Sequence, residues 1–160
     1  MRRSVRTATR FANLMLAGNL TGSELGSRLA WHPALDRLPP QPRLLAEQAA
    51  YARLGRIMPA FMSSTLASGA LATLATRDGD RAALALRSAS SGSYAAMLAI
   101  TLTRNVPLNQ RLLELEDTPE GHAEMADIRA RWDRLHTARN VLNLSGLALA
   151  IAAALREANA

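Results

Sequence analysis

Trp132, His136, Arg139 and Asn143 follow one another at intervals of four, three and four residues in the segment RWDRLHTARNVLN. On a helix that spacing puts an indole, an imidazole, a guanidinium and an amide on one stripe. Imidazole titrates near neutrality and suits proton transfer, while the guanidinium and amide suit developing negative charge on oxygen. A plainer reading makes Trp132, Arg131, Arg134 and Arg139 interfacial anchors and leaves His136 solvated. A second pair of amides, Asn105 and Asn109, lies four residues apart in TRNVPLNQR with Pro107 between them. Proline removes a backbone hydrogen bond and frees a carbonyl near Thr103. That either opens a polar pocket in a helix wall or ends the helix with both amides at a turn. Glu24 and His32 stand eight residues apart, about 12 Å along a straight helix. With His136 they would form a two-histidine, one-carboxylate metal set only if the helix breaks between them, and Asn19 and Gly22 are the residues that could break it.

The elements that must position these groups are helices. Ala (32) and Leu (27) supply 59 of the 160 residues, whereas Val and Ile total 7, so a β-rich fold is excluded. The absence of Cys excludes disulfides and cysteine metal sites. No phosphate loop, glycine fingerprint or convincing Ser nucleophile is present. The basic side chains are all Arg, 19 of them, scattered along the chain among only six aromatics. With no stacking platform, the net charge of +6 does not indicate a nucleic-acid module.

Four Ala/Leu-rich stretches of low charge predict helices over about 11–29, 54–76, 93–113 and 128–155 in a single domain spanning 1–160. Between the first two, HPALDRLPPQPR contains four prolines and reads as a loop. Between the second and third, Arg77 to Ser91 reads as a turn, a short amphipathic piece and a helix cap at SSGS. Thr118-Pro119-Glu120 offers a start to the last helix. The fold expected is an all-α four-helix bundle, transmembrane, with a Pro-rich loop between helices 1 and 2.

The uncharged windows run Phe11–Ser23, Ile57–Thr76, Ser88–Thr103 and Asn140–Leu155, and only the second has the length of a bilayer span. The mean hydropathy is −0.02, low for an integral protein. The second and fourth helices, however, lack a polar stripe over AFMSSTLASGALATLAT and VLNLSGLALAIAAAL. A helix apolar all round must be buried in a large core or in lipid, and 160 residues supply no such core. Small residues along these helices also suit close packing in a membrane. The N-terminal Arg cluster before an apolar run has the outline of a leader peptide, but Asn13, Gly18 and Asn19 interrupt it.

Four landmarks in order carry a resemblance: Glu24 on a Gly-containing first helix followed by HPAL (His32 to Leu35); GRIMP (Gly55 to Pro59); TRNVPLN (Thr103 to Asn109); and RWDRLHTAR (Arg131 to Arg139). The last two are the specific ones. Over almost the whole chain the sequence resembles the anthrone oxygenase-like family of small four-helix integral membrane proteins. The resemblance implies oxygenation of an apolar aromatic, polyketide-type substrate by O2 without a cofactor or metal. It also implies a place in the bilayer of a bacterial cell. On that analogy His136 would be the base, while Asn105, Asn109 and Arg139 would hold phenolate and peroxide oxygens. Trp132 would stack on the substrate, with Glu24, His32 and Asn143 lining its site. Two other readings stay open: a non-catalytic membrane bundle that binds a partner, or a second copy of itself, through small-residue faces, and a soluble four-helix bundle holding an apolar ligand or a metal.

Overall fold

A computed structural model describes residues 3–76 and 79–159. Its elements are α1 (Arg3–Gly26), α2 (His32–Leu35), α3 (Pro40–Leu74), α4 (Arg81–Ile100), α5 (Val106–Leu113) and α6 (Pro119–Ala158), with no strand among the described residues. Wide π-type turns, Ser27–Trp31 and Thr101–Asn105, join α1 to α2 and α4 to α5. The chain therefore makes four long rods, residues 3–35, 40–74, 81–113 and 119–158. They alternate in direction, and each packs on its chain neighbours, the fourth closing against the first. The expected all-α four-helix bundle is present.

The rods are longer than composition suggests because proline starts helices as readily as it stops them. Pro40 opens α3, where the first turn has no intrahelical use for its N–H. The segment expected as a Pro-rich loop accordingly shrinks to residues 36–39, and the second helix begins at 40, not 54. The third helix begins at Arg81, not 93: Asp80 caps it, accepting from the Ala83 N–H at 3.1 Å, and SSGS lies inside the helix. The fourth begins at Pro119, not 128, with the Thr118 hydroxyl accepting from the Gly121 N–H at 3.1 Å.

Each wide turn ends two residues before a proline, Pro33 or Pro107. A proline ring crowds the carbonyl four residues back, and one widened turn makes room for it without ending the rod. The first helix runs unbroken through Asn19 and Gly22, and its one irregular turn lies at Ser27–Trp31.

The core has two parts. Near the 36–39 and 114–118 turns, Leu44, Tyr51, Leu112, Leu115, Met125, Ile128 and Trp132 pack together. Further along, Ala17, Leu20, Met62, Tyr94 and Met97 form the other. There α4 and α6 approach closely at Gly146: a Cβ would come within 2.8 Å of the Tyr94 ring, and the Ser90 hydroxyl donates to the Gly146 carbonyl at 2.7 Å. Between these two parts lies a cavity.

Candidate active site

The cavity has a volume of about 380 Å3 and is lined by all four rods. Its walls are largely apolar, with Leu35, Leu54, Met58, Met62, Leu98 and Leu102 among them. Gly55 and Pro59 also line it. These two stand four residues apart, so the carbonyl that Pro59 cannot bond belongs to a residue without a side chain. Into this space the fourth rod presents Trp132, His136 and Arg139.

His136 is 1% exposed, and its Nε2 lies 3.2 Å from Glu24 Oε2. The other oxygen of Glu24 accepts from Arg139 Nη2. With Nε2 turned to a carboxylate, neutral His136 carries its proton there, which leaves the Nδ1 lone pair available. Neither Nδ1 nor Glu24 Oε2 has a hydrogen-bond partner in the protein, so imidazole and carboxylate face each other as a close electrostatic contact. A carboxylate on one imidazole nitrogen and an unused lone pair on the other is the arrangement of a fixed general base.

A second imidazole lies beside the first. The rings of His32 and His136 are 5.3 Å apart, and Trp132 packs on both, at 4.7 Å and 4.4 Å. Arg129 Nη2 donates to His32 Nδ1 at 3.0 Å, so Nε2 bears the proton and donates to the Ser27 hydroxyl, also at 3.0 Å. Burial, aided by the Arg129 charge, drives the His32 pKa down to about 3. It is a neutral, spent imidazole.

Arg129 organises the rest of the wall. It donates to the Tyr51 hydroxyl at 2.7 Å and to Asp133 at 2.8 Å, lies 3.4 Å from Glu47, and stacks 4.7 Å over the Trp132 ring. Tyr51 is buried, and its phenol is neutral. Its oxygen already accepts from Arg129. Its own O–H keeps a hydrogen to donate, and Tyr51 is among the residues that line the cavity. Trp132 Nε1 donates to Asn109 Oδ1 at 3.0 Å, which leaves the Asn109 amide N–H groups for another acceptor.

The residues singled out in the sequence divide between the cavity and the packed interior. Glu24, His32, Asn109, Trp132, His136 and Arg139 line the cavity. Asn105 and Asn143 do not: both are fully buried, and neither side-chain amide has a partner. The Asn143 carbonyl takes the hydroxyls of Thr21 at 3.4 Å and Tyr94 at 3.5 Å. Asn105 closes the wide turn and Asn109 follows it on α5. Asn105 and Asn143, expected to hold oxygen and to line the site, thus lie in the packed interior beside the cavity and not in its wall. Nor do Glu24, His32 and His136 converge as metal ligands. Arg139 occupies one Glu24 oxygen and Arg129 occupies His32 Nδ1, and no group of three suitable ligands occurs among the described residues.

Sequence reasoning missed Tyr51, Glu47 and Arg129. Arg129 was within reach, since it precedes Trp132 by three residues and extends the same stripe by one turn. Tyr51 and Glu47 meet that stripe only through long-range packing.

No curated protein and no solved structure matches this chain. The sequence pattern of one family, anthrone oxygenase, matches residues 48–149. The match takes in Tyr51, the GRIMP and TRNVPLN segments and the stripe from Trp132 to Arg139, while Glu24 and His32 lie before it. On that match the chain belongs to the anthrone oxygenase family.

Proposed function

We propose that the protein is a membrane-embedded oxygenase that takes an apolar, anthrone-like aromatic substrate to a quinone with O2, using His136 as the base. One observation carries this reading: a buried imidazole, held by Glu24 on one nitrogen and unpartnered on the other, lines a largely apolar cavity of about 380 Å3. That volume lies within the range of small-molecule sites.

The chemistry suits the lining. Loss of a proton from the central methylene of an anthrone gives a delocalised phenolate-type anion. His136 Nδ1 takes that proton, and Glu24 stabilises the imidazolium formed. Tyr51, Arg139 and the free amide N–H groups of Asn109 are the donors for the phenolate oxygen. The anion passes one electron to O2, and the two radicals join at the methylene carbon. Protonation of the resulting peroxide gives a hydroperoxide. Removal of the second hydrogen as a proton, with cleavage of the O–O bond, forms the new carbonyl and releases water. One anthrone and one O2 thus yield one anthraquinone and one water. The face of Trp132 offers a stacking surface for the rings.

Support for the membrane comes from α3 and α6, both long and apolar enough to cross a bilayer. Only 28% and 33% of their apolar windows are buried within the protein, so most of that surface faces outward. In a soluble bundle it would face inward.

The test is oxygen uptake by the detergent-purified protein with anthrone as substrate. The expected result is protein-dependent consumption of one O2 per anthraquinone formed, with one atom of 18O2 retained in the product and the other in water. No turnover above the spontaneous rate across a panel of anthrones, or release of hydrogen peroxide in place of water, would exclude this reading.

A further inference from the structure

Six arginines that take no part in the site lie on one level of the bundle. Contacts between rods fix their heights. Glu24 meets Arg139 and His32 meets Arg129, which puts Arg28 opposite Arg134 on the antiparallel fourth rod. Glu47 and Tyr51 meet Arg129, so Arg53 and Arg56 on the parallel second rod lie level with residues just beyond Trp132. Asn109 meets Trp132 and Ser90 meets Gly146, which puts Arg104 level with residues 132–137. Arg28, Arg53, Arg56, Arg104, Arg131 and Arg134 are all exposed, and among the described residues none has an ion-pair partner.

On one side of this collar the outer surface carries no unpaired charge for a fixed distance. Arg6 precedes Arg28 by 22 residues, Arg81 precedes Arg104 by 23, and Arg134 precedes Arg156 by 22. At 1.5 Å per residue each interval is roughly 33 Å, close to the hydrocarbon thickness of a bilayer. The charged side chains inside these intervals, Arg10, Glu24, Arg87 and Arg139, are paired with Glu157 or with one another. On the other side the surface turns ionic, with Glu114, Glu116, Asp117, Glu120 and Asp127 exposed.

We infer that the arginine collar binds the phosphates of anionic phospholipid headgroups and sets the depth of the bundle, leaving about a third of it in water. Guanidinium groups pair with phosphate through two N–H donors, which suits them to that boundary. The inference rests on the membrane reading above and adds a depth to it. Trp31, Leu54, Gly55 and Leu102, all exposed, line the cavity near the height of the collar. The mouth therefore opens where headgroups meet acyl chains, and an apolar substrate dissolved in the leaflet reaches His136 without crossing water.

The chain has no Cys, so single-cysteine spin labels report depth directly in vesicles of phosphatidylcholine with phosphatidylglycerol. Labels at Ser64→Cys and Ala148→Cys are expected to meet O2 and to be shielded from a water-soluble nickel chelate. Labels at Ala49→Cys and Ala126→Cys should show the reverse, with the crossover at the collar. The wild-type melting temperature should rise with phosphatidylglycerol content, and a variant combining Arg28→Gln, Arg53→Gln and Arg131→Gln should lose that rise. If the labels at 64 and 148 meet nickel as freely as those at 49 and 126, the membrane reading itself falls. If they are shielded but the crossover lies a turn or more from the collar, or the triple variant still responds to phosphatidylglycerol, only the collar assignment falls.

Discussion

Two buried carboxylates, one toward each end of the bundle, have nearly the same partners and very different surroundings. Glu157 is held between Arg10, at 2.8 Å, and Arg87, which bonds it through two nitrogens. The Glu157 side chain is fully buried and does not line the cavity. Glu24 is held between Arg139 and His136, beside a space large enough for a small molecule. Both clusters offset the cost of buried charge by pairing it. The difference lies in the carboxylate and what adjoins it: both Glu157 oxygens are bonded, whereas Glu24 Oε2 accepts no hydrogen bond and the imidazole 3.2 Å from it keeps Nδ1 free. A buried ion pair is therefore no sign of a site. Unused hydrogen-bonding capacity beside open volume is.

The comparison can be broken most severely at His136. His136→Ala should lower turnover about 10²- to 10⁴-fold, the usual contribution of a positioned general base. Circular dichroism and the melting temperature in detergent should stay close to wild type, and steady-state oxygen uptake measures the loss. Glu157→Gln should do the opposite. It leaves Arg87 buried without its counter-charge, at a cost of about 3–5 kcal/mol, while turnover per folded molecule is unchanged; thermal unfolding compared with activity normalised to folded protein separates the two effects.

Tyr51→Phe sharpens the account of the cavity wall. Removing one hydrogen-bond donor to a charged oxygen costs about 1.5–3 kcal/mol, roughly ten- to a hundredfold in turnover. Stability should change less, since Arg129 keeps Asp133 and Glu47.

A further effect concerns pH. Folded His32 has its pKa near 3, against about 6.5 in the unfolded chain. Between those values the unfolded state binds a proton that the folded state refuses. His32 thus disfavours folding progressively as the pH falls from 6.5 toward 3, and its effect disappears above 6.5. His32→Gln should flatten that slope in unfolding measurements between pH 4 and 6.5.

Much of the fold was legible because it follows from local pattern: an Ala/Leu-rich chain nearly free of Val and Ile has few choices but helices. The stripe at 132, 136 and 139 was legible for the same reason, since its residues share a face whatever the helix packs against. Helix lengths were not legible from proline content, because the same residue breaks a helix interior and begins a helix at its first turn. The wide turn at Thr101–Asn105, which continues the rod past Pro107, was not legible from the proline either. Tyr51 and Glu47 reach Arg129 across 78 and 82 residues of chain. No spacing rule within one helix could have joined them.

The central claim, that His136 removes a proton from the substrate inside this cavity, is tested most directly without oxygen. In deuterated buffer under anaerobic conditions, exchange of the central methylene hydrogens of anthrone can be followed by NMR with protein present. Wild type should accelerate that exchange at least a hundredfold over His136→Ala, in line with the contribution of a general base. Equal exchange rates in the two proteins would contradict the claim.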